Sequence, residues 1–154
     1  MIYGPPLISF IVSSNMRDDF ESFVGVALRR VEKKDYSWFF TFGDGLAIGT
    51  ESSWRLVTPD GVAVTSEDHE QKFGLPAPVD AAERVMARLA SHRVQAVSLD
   101  ATTGDMHVSF AESMYLHFIQ MSCGYESWRA TTPRGESICL GGGRISFFPV
   151  SQES

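Results

Sequence analysis

The chain has 154 residues, of which 44% are hydrophobic and 21% are charged, and it carries a net charge of -6 at pH 7. These values are typical of one folded domain and exclude a disordered chain. The acidic balance also argues against nucleic acid or an anionic membrane as a partner, because both attract clusters of Lys and Arg. A basic protein partner would suit this charge.

The chain begins with an apolar segment, residues 1–16, that lacks the basic start of a secretory signal. Its largely apolar run from Leu7 is also too short to cross a membrane. We interpret the whole chain, 1–154, as a single domain, with residues 1–16 either an extension of it or its first part. Two cysteines, Cys123 and Cys139, are too few for a disulfide scaffold, so we expect a cytoplasmic protein with reduced thiols.

Helix signals occur twice along the chain. Asp18 with Glu21, and later Asp80 with Glu83, have the spacing of a capping box, in which two side chains satisfy backbone N–H groups of the first turn. Apolar residues follow at helical spacing in both places. These patterns predict a short helix after Asp18 and a longer one over residues 81–91.

Alternating apolar and polar residues follow each helix signal and predict strands. We expect one strand at residues 26–31 and another at 94–99, each followed by a hairpin. The hairpins turn at residues 43–45 and 111–113. In this register the larger side chains face each other in pairs, namely Phe42 with Leu46, Phe40 with Ile48, Trp38 with Thr50, Phe110 with Met114, Val108 with Leu116 and Met106 with Phe118.

A repeated motif, Trp-Arg-x-x-Thr-Pro-x-Gly, occurs at Trp54–Gly61 and at Trp128–Gly135 without a gap. Each copy predicts a strand, a tight turn at the Pro, and a second strand. We therefore divide the chain into two diverged repeats, at about residues 17–73 and 79–148. The Trp of each copy is expected in the core, with the following Arg on the opposite face of the strand.

These elements predict an α+β fold that is mainly β. We expect two pseudo-symmetric halves, each a short helix plus an antiparallel meander, packed as a sandwich or partly open barrel. An exchange of strands between the halves, or between the two chains of a dimer, would give the same sequence pattern. Both alternatives stay open.

Charged residues concentrate in the loop after the strand predicted at residues 62–65. Glu67, Asp68 and His69 in that loop could bind a divalent metal or act as general acid and base, although such a run more often forms a solvated loop. The repeat alignment places them opposite Gly141-Gly142-Gly143. That glycine run can cradle an anion, but more often forms a turn or bulge.

Two further places carry candidate site residues. His107 and His117 face each other across the second hairpin and could share a metal, although a polar sheet face is the simpler interpretation. An insertion in the second repeat carries Tyr125 and Glu126, which we expect to form a binding surface with the loop at 66–72. No recognisable catalytic constellation is present, so we predict no catalytic residue and no cofactor.

Together these segments resemble a bacterial family of uncharacterised two-repeat domains of unknown function. The residues that carry the resemblance are Trp54-Arg55, the block from Ser66 to Asp80, the segment Gly124–Arg129 and the run Gly141–Gly143, within residues 18–148. The resemblance implies no assigned activity, cofactor or catalytic residue.

The sequence favours a non-enzymatic binding or protein-interaction module in the cytoplasm. The acidic charge and the concentration of repeat differences in loops support this hypothesis. Small acidic bacterial domains of this kind are in some cases immunity proteins, which gives one form of it by analogy. The alternatives are a metal-assisted or acid–base enzyme, or a small-molecule binder, that uses the cluster at 66–70, and a homodimeric structural subunit.

Overall fold

The structure, a computed structural model, describes residues 20–151. The segment 1–16 and the helix cap predicted at Asp18 lie outside the described residues. In chain order the elements are β1 (Leu28–Lys34), β2 (Ser37–Phe42), β3 (Ala47–Thr50), β4 (Trp54–Thr58), β5 (Gly61–Thr65), α1 (Ala81–Leu89), β6 (Ala96–Leu99), β7 (Met106–Ser109), β8 (Tyr115–Phe118), β9 (Trp128–Thr132), β10 (Gly135–Cys139) and β11 (Ile145–Pro149).

The strands form two antiparallel sheets, in the orders β1-β2-β3-β9-β10-β11 and β5-β4-β8-β7-β6. Each sheet therefore contains strands from both predicted repeats, because β9 pairs with β3 and β4 pairs with β8. Of the two exchanges left open by the sequence, the one within a single chain is found. The sheets pack as a sandwich and do not close into a barrel, so the predicted mainly β class is confirmed.

The predicted hairpin registers are confirmed. The alternation of large apolar side chains leaves one register that buries them all on one face, since a shift by one residue would expose every one. The observed pairs include Trp38 with Thr50, Phe40 with Ile48, Met106 with Phe118 and Val108 with Leu116.

The core between the sheets contains the two repeated tryptophans, both of which are buried as predicted. The Trp54 ring meets Trp38 and Phe40 edge to face, with centroids 5.0 Å and 5.1 Å away. This geometry suits the charge distribution of aromatic rings. Helix α1 adds Val85 and Leu89 to the same core from beside β1 and β5.

In three elements a predicted boundary was wrong by a few residues, and β1 also runs on to Lys34 where the prediction ended at residue 31. The strands expected at 26–31 and 94–99 begin at Leu28 and Ala96, because the segments before them bond to each other, with Val94 N–H donating to the Val26 carbonyl at 2.9 Å. Helix α1 is capped by Asp80 as predicted but ends at Leu89 and not at residue 91. The chain then turns, and the N–H of His92 donates to the carbonyl of Leu89.

Within residues 20–151, no helix combines the length and the apolar character needed to cross a membrane.

Candidate functional site beside the 120–126 loop

An open groove of about 580 Å³ lies at the end of the sandwich where β3 runs into β4 and β8 ends. Three of the predicted binding residues line it, Glu67, Tyr125 and Glu126, together with Glu51 and Gln120. The insertion and the loop after β5 therefore meet at one surface. Asp68 and His69 do not line this groove.

Asp68 and His69 bond to nearby backbone. The Asp68 carboxylate accepts a hydrogen bond from the Thr65 N–H at 2.9 Å, which closes a capping box on a short 3-10 turn. His69 Nδ1 accepts from the Ala81 N–H at 3.1 Å, and its ring lies edge-on to Trp38. These two side chains hold the loop and the first turn of α1 in place.

The loop that carries Tyr125 is held by its own hydrogen bonds. Ser122 Oγ accepts from the N–H groups of Gly124 and Tyr125, at 3.0 Å and 2.9 Å. Gln120 accepts from the Ser122 N–H at 2.8 Å and donates to the Tyr125 carbonyl at 3.1 Å. Tyr125 is thus a side chain 81% exposed on an ordered backbone.

The glycine run Gly141–Gly143 supports this loop from one side. It forms a 3-10 turn, and the Gly142 N–H donates to the Ser122 carbonyl at 2.9 Å. A Cβ atom on Gly141 would lie 2.5 Å from the carbonyl carbon of Gly124. The run therefore lets two backbones pack closely, which only glycine permits at this distance.

A chain of hydrogen bonds links the second sheet to the same loop. One oxygen of Asp105 accepts from the Gln120 N–H at 2.9 Å, and the other lies 2.8 Å from His117 Nε2. Arg55 Nε donates to His117 Nδ1 at 3.2 Å. Because a guanidinium group only donates, Nδ1 must accept, and the ring proton of His117 lies on Nε2 toward Asp105.

His107 stacks on His117, with ring centroids 4.2 Å apart, as their predicted pairing requires. Its Nδ1 is buried and has no hydrogen-bond partner within residues 20–151. Burial, and then the neighbouring imidazole, lower the pKa of His107, so it stays neutral at pH 7. Both nitrogens of His117 are engaged, which leaves only His107 of this pair with a nitrogen for a metal.

The described part of the chain contains no group of three or more His, Cys, Asp or Glu residues placed to hold a metal ion. Cys139 is buried, and burial raises the pKa of its thiol, so it stays protonated. Cys123 is exposed in the loop that carries Tyr125.

Residues 38–149 match a family of unknown function, DUF6188. The chain belongs to DUF6188. The matched range contains both Trp-Arg motifs, the hydrogen-bond chain from Arg55 to Gln120, and Tyr125. No curated protein and no solved structure matches the chain.

Sequence reasoning missed several residues of this DUF6188 site. Asp105 comes directly before β7 and two residues before His107, so extending the two-residue period of the strand by one position would have placed both on one face. Gln120 carries no such signal, because its contacts join loops far apart in sequence. Exposed Tyr36 and Met121 at the groove were also missed.

Proposed function

We propose that this DUF6188 domain is a non-enzymatic binding module whose groove takes a basic segment of a protein partner. The exposure of Tyr125 on a hydrogen-bonded loop carries the proposal. Tyr36 and Met121, 85% and 69% exposed, lie at the same groove. Exposed aromatic side chains on ordered backbone are typical anchors of interfaces, because little freedom is lost when they bind.

The charge of the groove supports a basic partner. Glu51 accepts a hydrogen bond from Ser37 Oγ at 3.2 Å, and Glu67 accepts one from Ser53 Oγ at 3.1 Å. Neither carboxylate has an ion-pair partner within 4.0 Å in residues 20–151. Lys33 is the cation among the groove residues, so the lining carries more carboxylates than cations. A Lys or Arg side chain would find complementary charge there.

The origin of the surface follows from the two repeats, which we infer to be pseudo-symmetric diverged copies. Thr50 pairs with Trp128 as Phe118 pairs with Trp54, so matching positions make matching contacts. The shared residues then build the scaffold, and the copies differ at the groove. A cytoplasmic, immunity-like role, in which the partner is a basic toxin domain, is one form of this function.

Peptide selection tests the proposal. A random twelve-residue library displayed on phage is panned against the full chain, and the strongest peptide is then measured by calorimetry. We expect enrichment in Lys and Arg, and about tenfold weaker binding after Tyr125→Ala or Glu67→Gln. Phe148→Ala and Glu112→Gln are the matched controls, since both residues are exposed and do not line the groove. Peptides without basic residues, or unchanged binding by Tyr125→Ala, would overturn it.

A further inference from the structure

A second concavity adjoins the groove on the outer face of the first sheet. This notch, of about 320 Å³, lies over Gly49 and shares Glu51 and Glu126 with the groove. Across the strands, Gly49 pairs with Phe39 on one side and with Arg129 on the other. The missing side chain at Gly49 leaves room between these two residues.

The second sheet shows what fills this position when the residue is larger. There His117 pairs with His107 on one side and with Arg55 on the other. In the second sheet the stacked imidazoles of His107 and His117 occupy the position that corresponds to the notch over Gly49. The notch therefore exists because Gly49 in the first sheet lacks the side chain that His117 has at the matching position of the second sheet.

The lining of the notch combines an aromatic face with an uncompensated carboxylate. Phe39 is 38% exposed, although it is a large apolar side chain in mid-strand. Arg129 lies 3.4 Å from both Glu126 and Glu136, so these three charges are paired. Glu51, by contrast, has only the Ser37 hydroxyl as a partner within the described residues.

We propose that the notch over Gly49 binds a guanidinium group, so that an arginine anchors the partner's basic segment. A planar guanidinium can stack on Phe39 and donate two hydrogen bonds to Glu51 at once. An ammonium group is more strongly hydrated and has no flat face, so it fits this lining less well. The role of the partner rests on the proposed function, but the ligand preference of the notch can be tested without a partner.

The test is a ¹⁵N NMR titration of the full chain with ethylguanidinium, ethylammonium and neutral ethylurea at constant ionic strength. We expect ethylguanidinium to shift the amide signals of Phe39, Gly49 and Glu51 in a saturable way. Ethylammonium should bind about threefold or more weakly, and ethylurea should give no localised shifts. Equal binding of the two cations, or the same shifts with ethylurea, would overturn the assignment, as would the absence of localised shifts.

Variants locate the binding. Glu51→Gln should weaken ethylguanidinium about fivefold, whereas Glu112→Gln, with the same change in net charge, should have no effect. Gly49→Ala should weaken ethylguanidinium about threefold or more, because its methyl group would occupy part of the notch. The Cβ would lie 3.6 Å from the Phe39 ring, an ordinary contact, so the fold should tolerate it. Unchanged binding in Gly49→Ala would contradict the notch.

The two proposals fail separately. If ethylguanidinium does not bind but the selected peptides still require Tyr125, the notch assignment is wrong and the groove function stands. If ethylguanidinium binds as expected but Tyr125→Ala leaves peptide binding unchanged, the groove function is wrong and the guanidinium preference of the notch stands.

Discussion

His117 and Asp105 are joined by a hydrogen bond of 2.8 Å in which the imidazole Nε2–H is the donor. The second oxygen of the same carboxylate accepts from the Gln120 N–H. The partly buried Asp105 side chain thus connects strand β8 to the start of the loop that carries Tyr125. Asp105 itself does not line the groove.

Asp105→Asn should destabilise the protein and loosen this loop. The Asn side chain has one acceptor oxygen for two donors, the Nε2–H of His117 and the N–H of Gln120. Its NH₂ group would therefore face one of these N–H groups. We expect the free energy of unfolding to fall by about 2 kcal/mol, the range for a hydrogen bond to a charged group. Urea unfolding measures the loss, and hydrogen exchange at Gln120 and Tyr125 measures the loop.

The matched control is Asp60→Asn, because Asp60 is exposed in the turn between β4 and β5. Its free energy of unfolding should stay within about 0.5 kcal/mol of the wild-type value. An equal loss in the two variants would show that Asp105 has no special role in the loop.

His107 should make stability depend on pH. Its pKa in the folded protein lies below the ordinary value of 6.5, because of burial and then of the neighbouring imidazole of His117. Between the two values the unfolded chain binds more protons than the folded chain. The free energy of unfolding should therefore fall as the pH decreases through about 6.5 and toward the folded pKa. Urea unfolding between pH 5 and 8 measures this slope.

His107→Phe should flatten this dependence of the free energy of unfolding on pH. Phe is chosen because β2 has Phe39 at the position that matches His107. His92→Gln, outside the stacked pair, should keep this slope. Asp105, which bonds to His117, does not produce the same slope. Burial alone would raise the pKa of Asp105, but hydrogen bonds from His117 and Gln120 hold it below the ordinary 3.8. The stability that Asp105 contributes is therefore lost only at a pH below this range. An unchanged slope in His107→Phe would rule out His107 as the cause.

Local pattern was enough to predict the hairpins and the burial of Trp54 and Trp128. Local pattern could not predict that β3 pairs with β9. Nothing in either segment distinguishes pairing between strands of one repeat from pairing between strands of the two repeats. The same limit applies to His69, which caps α1 from twelve residues away through Ala81. Contacts between loops far apart in sequence build the site, and period-two patterns contain no information about them.

The two tryptophans should differ in their response to Phe. Trp128 Nε1 donates to the Gly104 carbonyl at 2.8 Å, whereas Trp54 Nε1 is buried without a partner in residues 20–151. Both substitutions leave a cavity, but only Trp128→Phe also removes a hydrogen bond. We expect Trp128→Phe to cost about 1 kcal/mol more than Trp54→Phe in urea unfolding. An equal or reversed order would show that the indole hydrogen bond adds nothing.

Gly143 should be far less tolerant of substitution than Gly124. A Cβ on Gly143 would collide with the Thr103 carbonyl oxygen, and its φ of +103° is one that L side chains rarely adopt. Gly124 has nothing within 4 Å of the same position. Gly143→Ala should therefore destabilise by about 3 kcal/mol or more, and Gly124→Ala by less than about 1 kcal/mol. Comparable midpoints for the two variants in thermal unfolding would mean that the loop at Thr103 moves aside, and that the close packing of these backbones is not required for folding.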